Sequence, residues 1–219
     1  TWGALRDEVD CVAKSLLAVG VGHGDRVAML APPCSDFLVT FLAVASIGGV
    51  WLGLNPRYQP RELSYVLNDA APSLIFGRAP GGVEAQRQVL EATAPVVWLE
   101  DDEAGASAWR AFLDRGSGID DHALAQARAA VSPADAALLV YTSGSTGSPK
   151  GALLPHRGLV AAAARRADCW WHGRFRTLAN LPINHIAGVG DLACTTLVTG
   201  GFQHFMEKFD GEACLEAIT

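Results

Sequence analysis

Short apolar runs alternate with longer segments of helical periodicity along most of this chain, and this alternation constrains the fold more than any other feature. Apolar residues recur at helical spacing in residues 5–17 and 35–47, whereas residues 26–30 and 50–54 are short, mostly apolar runs of strand length. Repeated strand–helix alternation predicts an α/β fold in which a mostly parallel sheet is flanked by helices on both faces.

The same reading extends to the end of the chain. We predict strands at residues 26–30, 50–54, 74–76, 96–99, 136–140, 177–180 and 202–205, and helices at residues 35–47, 60–69, 83–93, 156–171 and 187–198, with a first helix before Gly20 and a partial helix at the end. Residues 100–134 are rich in Asp, Ala, Gly and Ser, and we predict one short helix near 109–113 within irregular chain there. A sub-boundary of the domain is placed in this region.

An uncharged run at residues 37–54 has two interpretations. Its 18 residues reach the length of a membrane-spanning helix. However, Gly48 and Gly49 interrupt the run, and residues 50–54 suit a buried strand. A helix beginning at Ser35, a glycine stop and a parallel strand explain the run better than a membrane span.

Composition and charge exclude several classes of function. The net charge of −6 and the absence of a basic stripe argue against a nucleic-acid partner. The six histidines show no ligand spacing, so no metal site is predicted from them. The five cysteines are odd in number and widely spaced, and the N-terminus has no secretory signal, which together predict a cytoplasmic protein without disulfides.

A glycine- and hydroxyl-rich segment follows the apolar run at residues 136–140. It reads Tyr141-Thr142-Ser143-Gly144-Ser145-Thr146-Gly147-Ser148-Pro149-Lys150-Gly151. Its glycines leave backbone N–H groups unobstructed, its hydroxyl groups add donors, and its lysine adds a cation. Because these are the groups that a polyphosphate requires, the segment indicates that the protein handles ATP.

Other known loops fit this segment poorly. The Walker A pattern G-x-x-x-x-G-K-[ST] fails because Lys150 lies between Pro149, which has no N–H, and Gly151. The nucleophile elbow G-x-S-x-G fails because Ser143 occupies the first glycine position. A flexible Ser/Gly linker remains an alternative, although such linkers seldom end in Pro-Lys-Gly. The glycines at residues 20–24 precede a strand, so a tight turn explains them better than a dinucleotide fingerprint.

The segment resembles, almost residue for residue, the phosphate loop of adenylate-forming (AMP-binding) enzymes, whose motif is approximately Y-T-S-G-[ST]-T-G-x-P-K-G. Other matches follow the family's order along residues 1–219, at Gly22–Ala28, Gly48–Pro56, Glu62–Leu67 and Leu181–Gly188. Acyl-CoA synthetases and coumarate-CoA ligases are the most similar members, because the run Asn55-Pro56-Arg57-Tyr58 and the His185 segment are typical of them.

The resemblance implies a reaction and a set of site residues. A carboxylic acid would be activated by ATP and Mg²⁺ to an acyl-adenylate, and the thiol of coenzyme A would then take the acyl group. His185 would position the carboxylate or gate the pocket. The implied β- and γ-phosphate contacts are Thr142, Ser143, Gly144, Ser145, Thr146, Gly147 and Lys150, and the implied substrate contacts are His185, Ile186, Val189 and Asp191. Without the resemblance, His185 would be read as a core histidine and Lys150 as a solvated lysine.

The chain also departs from this family. Members are typically more than twice as long, and the motifs for their magnesium-binding glutamate, ribose-binding aspartate and adenylating lysine are absent from these 219 residues. We therefore expect an incomplete N-terminal domain of a larger enzyme, inactive alone, with an exposed apolar surface that promotes association. Two alternatives remain: an adenylate-forming enzyme with an acceptor other than coenzyme A, and a short, non-catalytic nucleotide- or acyl-binding module. The sequence does not identify the acid.

Overall fold

The computed structural model describes residues 1–78, 84–100, 107–142, 149–170 and 173–218. The main sheet contains the strands β1 (Arg26–Leu30), β2 (Val50–Leu54), β3 (Leu74–Gly77), β4 (Val96–Trp98), β5 (Ala136–Thr142) and β6 (Lys150–Pro155). Their order is β4-β3-β1-β2-β5-β6, and every pair is parallel except β5 with β6. A mostly parallel α/β sheet was predicted, and the structure confirms it.

Helices cover both faces of this sheet. The helices of the described residues are α1 (Trp2–Ala18), α2 (Ser35–Ser46), α3 (Pro60–Ala70), α4 (Glu84–Thr93), α5 (Ala108–Arg115), α6 (Asp121–Ala129), α7 (His156–Trp170), α8 (Cys194–Thr199) and α9 (Gly211–Ile218). Alternate residues of β1 enter different cores: Val27 and Met29 pack with α1, α2 and α7, whereas Ala28 and Leu30 pack with α3 and α4. The period of two along the strand therefore supplies both faces of the sheet.

The uncharged run at residues 37–54 is divided between two elements. Helix α2 ends at Ser46, Gly48 adopts a φ of 80°, and β2 begins at Val50. A Cβ on Gly49 would lie 2.8 Å from the Val44 side chain and 3.1 Å from its carbonyl oxygen, so the tight turn requires glycine there. Within the described ranges, no helix combines the length and the apolar character needed to cross a bilayer.

A second helix occupies the region for which mostly irregular chain was predicted. After α5 and a short 3₁₀ turn at Gly116–Gly118, α6 runs from Asp121 to Ala129. The prediction of irregular chain was wrong at this helix because only Leu124 of α6 is buried, which leaves little apolar periodicity in the sequence. The side chain of Asp120 accepts from the N–H of Ala123 and caps the helix, and Lys14 of α1 pairs with Asp121 at 2.7 Å.

Strand β6 was not predicted, since its residues Lys150–Pro155 show no alternation of apolar and polar side chains. It pairs antiparallel with β5, with Thr142 opposite Lys150 and Val140 opposite Ala152. A separate parallel pair, β7 (Arg176–Ala179) and β8 (Phe202–Phe205), lies beside the main sheet. It contacts α2 through the Phe37 and Phe205 rings, whose centroids are 5.6 Å apart.

Several large apolar side chains are exposed on the last third of the chain. They are Leu153 of β6, Val160 of α7, Phe202 of β8, Phe209, and Leu215 and Ile218 of α9, and their exposed fractions lie between 53% and 71%. Exposed apolar surface favours contact with other chains or segments. Association through it stays a prediction.

His156, the first residue of α7, provides a prediction on stability. Burial lowers the pKa of His156, although the nearby negative charge of Asp135 raises it by a smaller amount. No described residue forms a hydrogen bond with Nε2 of His156. The unfolded chain therefore binds this proton at a higher pH than the folded chain, so folding stability contributed by neutral His156 is lost as pH falls below about 6.5.

We expect the melting temperature of the protein to fall less steeply between pH 7 and pH 5 in His156→Gln than in the wild type. His122→Gln is the matched control, because His122 is exposed on α6 and lies outside the core. Equal pH slopes in wild type and His156→Gln would contradict the assignment.

Candidate functional site

The carboxyl ends of the parallel strands lie along one edge of the main sheet. At this edge the chain leaves β2 at Asn55, β3 at Arg78 and β5 beyond Thr142. Ligands of open α/β sheets bind outside the carboxyl ends of the strands. The predicted phosphate-binding segment therefore begins where such a sheet places its ligand.

Thr142 and Lys150 occupy the two ends of this segment. They lie opposite each other at the end of the β5–β6 pair, and both are exposed. No ion pair joins Lys150 to another residue within the described ranges, so its ammonium group is open to an anion. The remaining predicted phosphate contacts, Ser143, Gly144, Ser145, Thr146 and Gly147, lie outside the described residues and stay predictions.

A second cation at this edge, Arg78, is already neutralised. Its guanidinium lies 3.4 Å from the carboxylate of Asp36 and 2.6 Å from that of Glu207. These pairs connect β3 with the start of α2 and with the chain after β8. Arg78 therefore holds elements together, in contrast to Lys150.

The ends of the phosphate-binding segment also contact helix α3. The Tyr141 hydroxyl donates a 2.5 Å hydrogen bond to the carboxylate of Asp69, and the Tyr65 hydroxyl donates a 3.2 Å bond to the carbonyl oxygen of Pro149. Burial, together with the hydrogen bond to Asp69, raises the pKa of Tyr141, so its hydroxyl remains a donor at neutral pH. Sequence reasoning missed both contacts.

Gly53 brings the His185 segment against the sheet. A Cβ at this position would lie 2.4 Å from the carbonyl oxygen of Ile183 and 2.9 Å from the Cα of Asn184. Only glycine permits that approach of two backbones. Residues 183–184 therefore lie against β2, the strand next to β5, which leads into the predicted phosphate-binding segment.

His185 itself is exposed and oriented by local hydrogen bonds. The N–H of Ala187 donates to Nδ1 of His185 at 3.1 Å, and the N–H of His185 donates to the carbonyl oxygen of Pro182. Since Nδ1 accepts this hydrogen bond, the neutral ring carries its proton on Nε2. The exposed Nε2–H can therefore donate to a carboxylate or a phosphate oxygen.

The residues after His185 form a π-helix at Ala187–Ala193 that leads into α8, where one continuous α-helix was predicted. A Cβ on Gly188 would lie 2.7 Å from the carbonyl oxygen of Pro182, so glycine lets this wide turn pack against the preceding chain. Single π-helical turns are frequent at functional sites.

The other predicted substrate contacts occupy different environments on this turn. Val189 is fully buried in the core, and the Ile186 side chain fills the space above Gly190. The carboxylate of Asp191 pairs with Arg166 of α7 at 2.5 Å. The sequence did not indicate a partner for Arg166, because Asp191 lies 25 residues further along the chain. Contact of these residues with a substrate stays a prediction.

Metal ligands were also sought among the carboxylate, thiol and imidazole groups. Across the part of the chain that the structure describes, no three His, Cys, Asp or Glu side chains are placed to hold an ion. All five cysteines are free, and burial raises the pKa of the Cys34 and Cys194 thiols.

The glycine-rich sequence after β5 follows a strand end at the ligand-binding edge of a mostly parallel sheet, an arrangement typical of nucleotide-binding α/β domains. The chain belongs to the AMP-binding enzyme family, whose family model matches residues 1–219. The resemblance inferred from the sequence is therefore confirmed.

Individual relatives are CoA ligases. Acyl-CoA ligase sidI of Aspergillus fumigatus is 32% identical over 235 aligned positions, which cover 100% of this chain and 40% of that protein. 4-Coumarate–CoA ligase 2 of Oryza sativa subsp. japonica is 30% identical over 222 positions, covering 94% of this chain and 38% of the relative. This chain thus spans about two-fifths of the length of the curated relatives that it matches.

Solved structures agree with this placement. ATP-bound MatB from Rhodopseudomonas palustris superposes with a TM-score of 0.80 at 30% identity, covering 98% of this chain and 41% of MatB. The apo form of the same enzyme gives a TM-score of 0.78 at 28% identity. The described residues thus share the fold of MatB, which has been crystallised both with ATP and in the apo form.

Proposed function

We propose that the full-length protein activates a carboxylic acid with ATP and transfers the acyl group to coenzyme A. The observation that carries the proposal is Lys150, which is exposed at the end of the β5–β6 pair, at the ligand edge of the sheet, and forms no ion pair with a described residue. The names of the relatives support the same chemistry, since they are ligases that join acids to coenzyme A.

In the first half-reaction, a carboxylate oxygen attacks the α-phosphorus of ATP, and the bond from that phosphorus to pyrophosphate breaks. Both reactants are anions, so neutralisation of charge must supply much of the lowering of the barrier. We assign the β- and γ-phosphates to the hydroxyl and N–H groups of residues 142–147 and to Lys150. Mg²⁺ bound with ATP would neutralise further charge on the phosphates. In the second half-reaction the thiol sulfur bonds to the acyl carbon and AMP leaves.

We assign the acid to the chain around His185. The exposed imidazole can donate from Nε2 to the carboxylate, and the π-helix after it would line the acyl pocket. Ile186 and Val189 would support the apolar wall of that pocket from behind, because both side chains pack toward the protein interior. Asp191 would act together with Arg166, because the two side chains are already paired. The identity of the acid is left to experiment.

Acid-dependent exchange of pyrophosphate into ATP, measured on the full-length protein, tests the first half-reaction. A panel of short-chain, fatty and aromatic acids, followed by addition of coenzyme A, tests the second. We expect exchange with at least one acid and a thioester with the same acid. Exchange without a thioester would indicate another acceptor, and absence of exchange with every acid would overturn the proposal.

His185→Ala should lower kcat/KM for the acid about 10- to 100-fold, because a hydrogen bond to a charged carboxylate is worth about 1.5–3 kcal/mol and each 1.4 kcal/mol is a factor of ten. Because the ring is exposed, the melting temperature should change little. His204→Ala, at an exposed position of β8, is the matched control. A kcat/KM of His185→Ala equal to that of the control would remove His185 from the site.

We further propose that the 219-residue chain alone does not form a thioester, since it spans only part of its relatives. We also propose that the protein is cytoplasmic, that a sub-boundary of the domain lies within residues 100–134, and that no nucleic acid is a partner. Thioester formation by the isolated chain would contradict the first of these statements.

A further inference from the structure

Helix α3 reaches both ends of the phosphate-binding segment. Tyr65 bonds to the carbonyl oxygen of Pro149, the residue before Lys150. Asp69 accepts from the hydroxyl of Tyr141, the residue before Thr142. The two contacts span 84 and 72 residues of sequence, so they are tertiary contacts and not features of a local turn.

The spacing of the two α3 residues explains how one helix makes both contacts. Tyr65 and Asp69 are four residues apart, which places their side chains one above the other on the same helix face. That face is separate from the one that packs in the core, which consists of Leu63, Val66, Leu67 and Ala70. Tyr65 is 40% exposed, so its ring contributes little to the core.

The strand ends that α3 contacts are also constrained by packing. A Cβ on Gly151 would lie 2.9 Å from Leu139 and 3.3 Å from the Tyr141 ring, so the Tyr141 ring packs directly over the backbone of β6. Tyr141 thus joins β5, β6 and α3 at one point. Movement of α3 relative to this point would shift both Thr142 and Lys150.

We propose that Tyr65 and Asp69 are positioning residues that hold the ends of the phosphate-binding segment, so that Lys150 is preset for the phosphates of ATP. The inference rests on the proposed function for its link to ATP. That α3 holds residues 141–142 and 149–151 in place does not depend on the proposed function, because these contacts are present in the protein without ligand.

Two measurements test this inference on the full-length protein. The first is the KM for ATP in acid-dependent pyrophosphate exchange, measured beside the KM for the acid. Tyr65→Phe and Asp69→Ala should each raise the KM for ATP about three- to tenfold, as expected for loss of one hydrogen bond, and leave the KM for the acid unchanged. Asp69→Asn keeps an acceptor oxygen and should restore most of the affinity for ATP.

The second measurement is hydrogen–deuterium exchange of the peptide covering residues 140–152 without ligand. We expect faster exchange in Tyr65→Phe and Asp69→Ala, with the rates of peptides from β1 and β2 unchanged. Tyr58→Phe is the matched control, because Tyr58 packs against the same core as α3 but its hydroxyl makes no hydrogen bond to the ends of the segment.

The outcomes separate the two proposals. Faster exchange together with a raised KM for ATP supports the positioning role. Unchanged exchange and unchanged KM in Tyr65→Phe and Asp69→Ala would overturn it, even if the wild type is fully active. If the wild type shows no pyrophosphate exchange, the proposed function fails, and the hydrogen–deuterium comparison still decides whether α3 holds these strand ends.

Discussion

Replacing Lys150 with alanine should slow acid-dependent pyrophosphate exchange about 10- to 100-fold in the full-length protein, with most of the loss in the use of ATP. A hydrogen bond between a charged lysine and phosphate is worth about 1.5–3 kcal/mol, and each 1.4 kcal/mol corresponds to a factor of ten. Lys150 is exposed and unpaired among the described residues, so no internal interaction is lost when it is removed.

Stability separates this effect from misfolding. The melting temperature of Lys150→Ala should match that of the wild type, because substitutions at exposed, unpaired positions usually change stability by less than about 0.5 kcal/mol. Lys150→Arg keeps the charge and should retain more activity than the alanine variant. Lys208→Ala removes another exposed lysine, distant from β5 in sequence, and serves as the control. Full activity of Lys150→Ala would sink the assignment of the phosphate-binding segment.

Gly53→Ala should affect both folding and activity. The added Cβ would lie 2.4 Å from the carbonyl oxygen of Ile183 and 2.7 Å from its carbonyl carbon, and neither backbone atom can rotate away. Overpacking of this kind costs about 1–3 kcal/mol. Relief of the clash requires residues 181–188 to move away from β2, which displaces His185 from the edge of the sheet.

Chemical denaturation and pyrophosphate exchange measure the two effects. We expect the free energy of unfolding to fall by about 2 kcal/mol or more, and exchange activity to fall in the surviving folded protein. Gly22→Ala is the matched control, since a Cβ at Gly22 would meet no atom within 4 Å and its φ lies outside the left-handed region. Such a substitution is neutral or stabilises by up to about 1 kcal/mol. Equal stability of the two variants would contradict the close contact between Gly53 and the carbonyl group of Ile183.

The strands other than β6 and most helices could be predicted within two residues because their signals are local. Continuous apolar runs mark β1 and β2, and helical spacing with a glycine stop marks α1 and α2. The same logic failed at α6, where burial of a single leucine leaves almost no periodicity. It also failed at β6, whose exposed residues are held by pairing with β5 and not by an apolar pattern of their own.

The candidate site divides in a similar way. Lys150, Thr142 and His185 were predicted from short motifs, whose chemistry lies in neighbouring residues, and their roles stay predictions. Tyr65, Asp69 and Arg166 were not found, because each acts through a partner that is distant in sequence. Hydrophobic periodicity reports how much of a side chain is buried, but it does not report which residue lies opposite.

Local sequence patterns thus determine the class of fold, the position of the phosphate-binding segment and the family of the chain. The order of the strands, the support that α3 gives to the ends of that segment and the approach of Ile183 to Gly53 depend on contacts between distant residues. Such contacts form only when the sheet closes loops of tens of residues, and their geometry is set by packing of the whole domain, which no short stretch of sequence encodes.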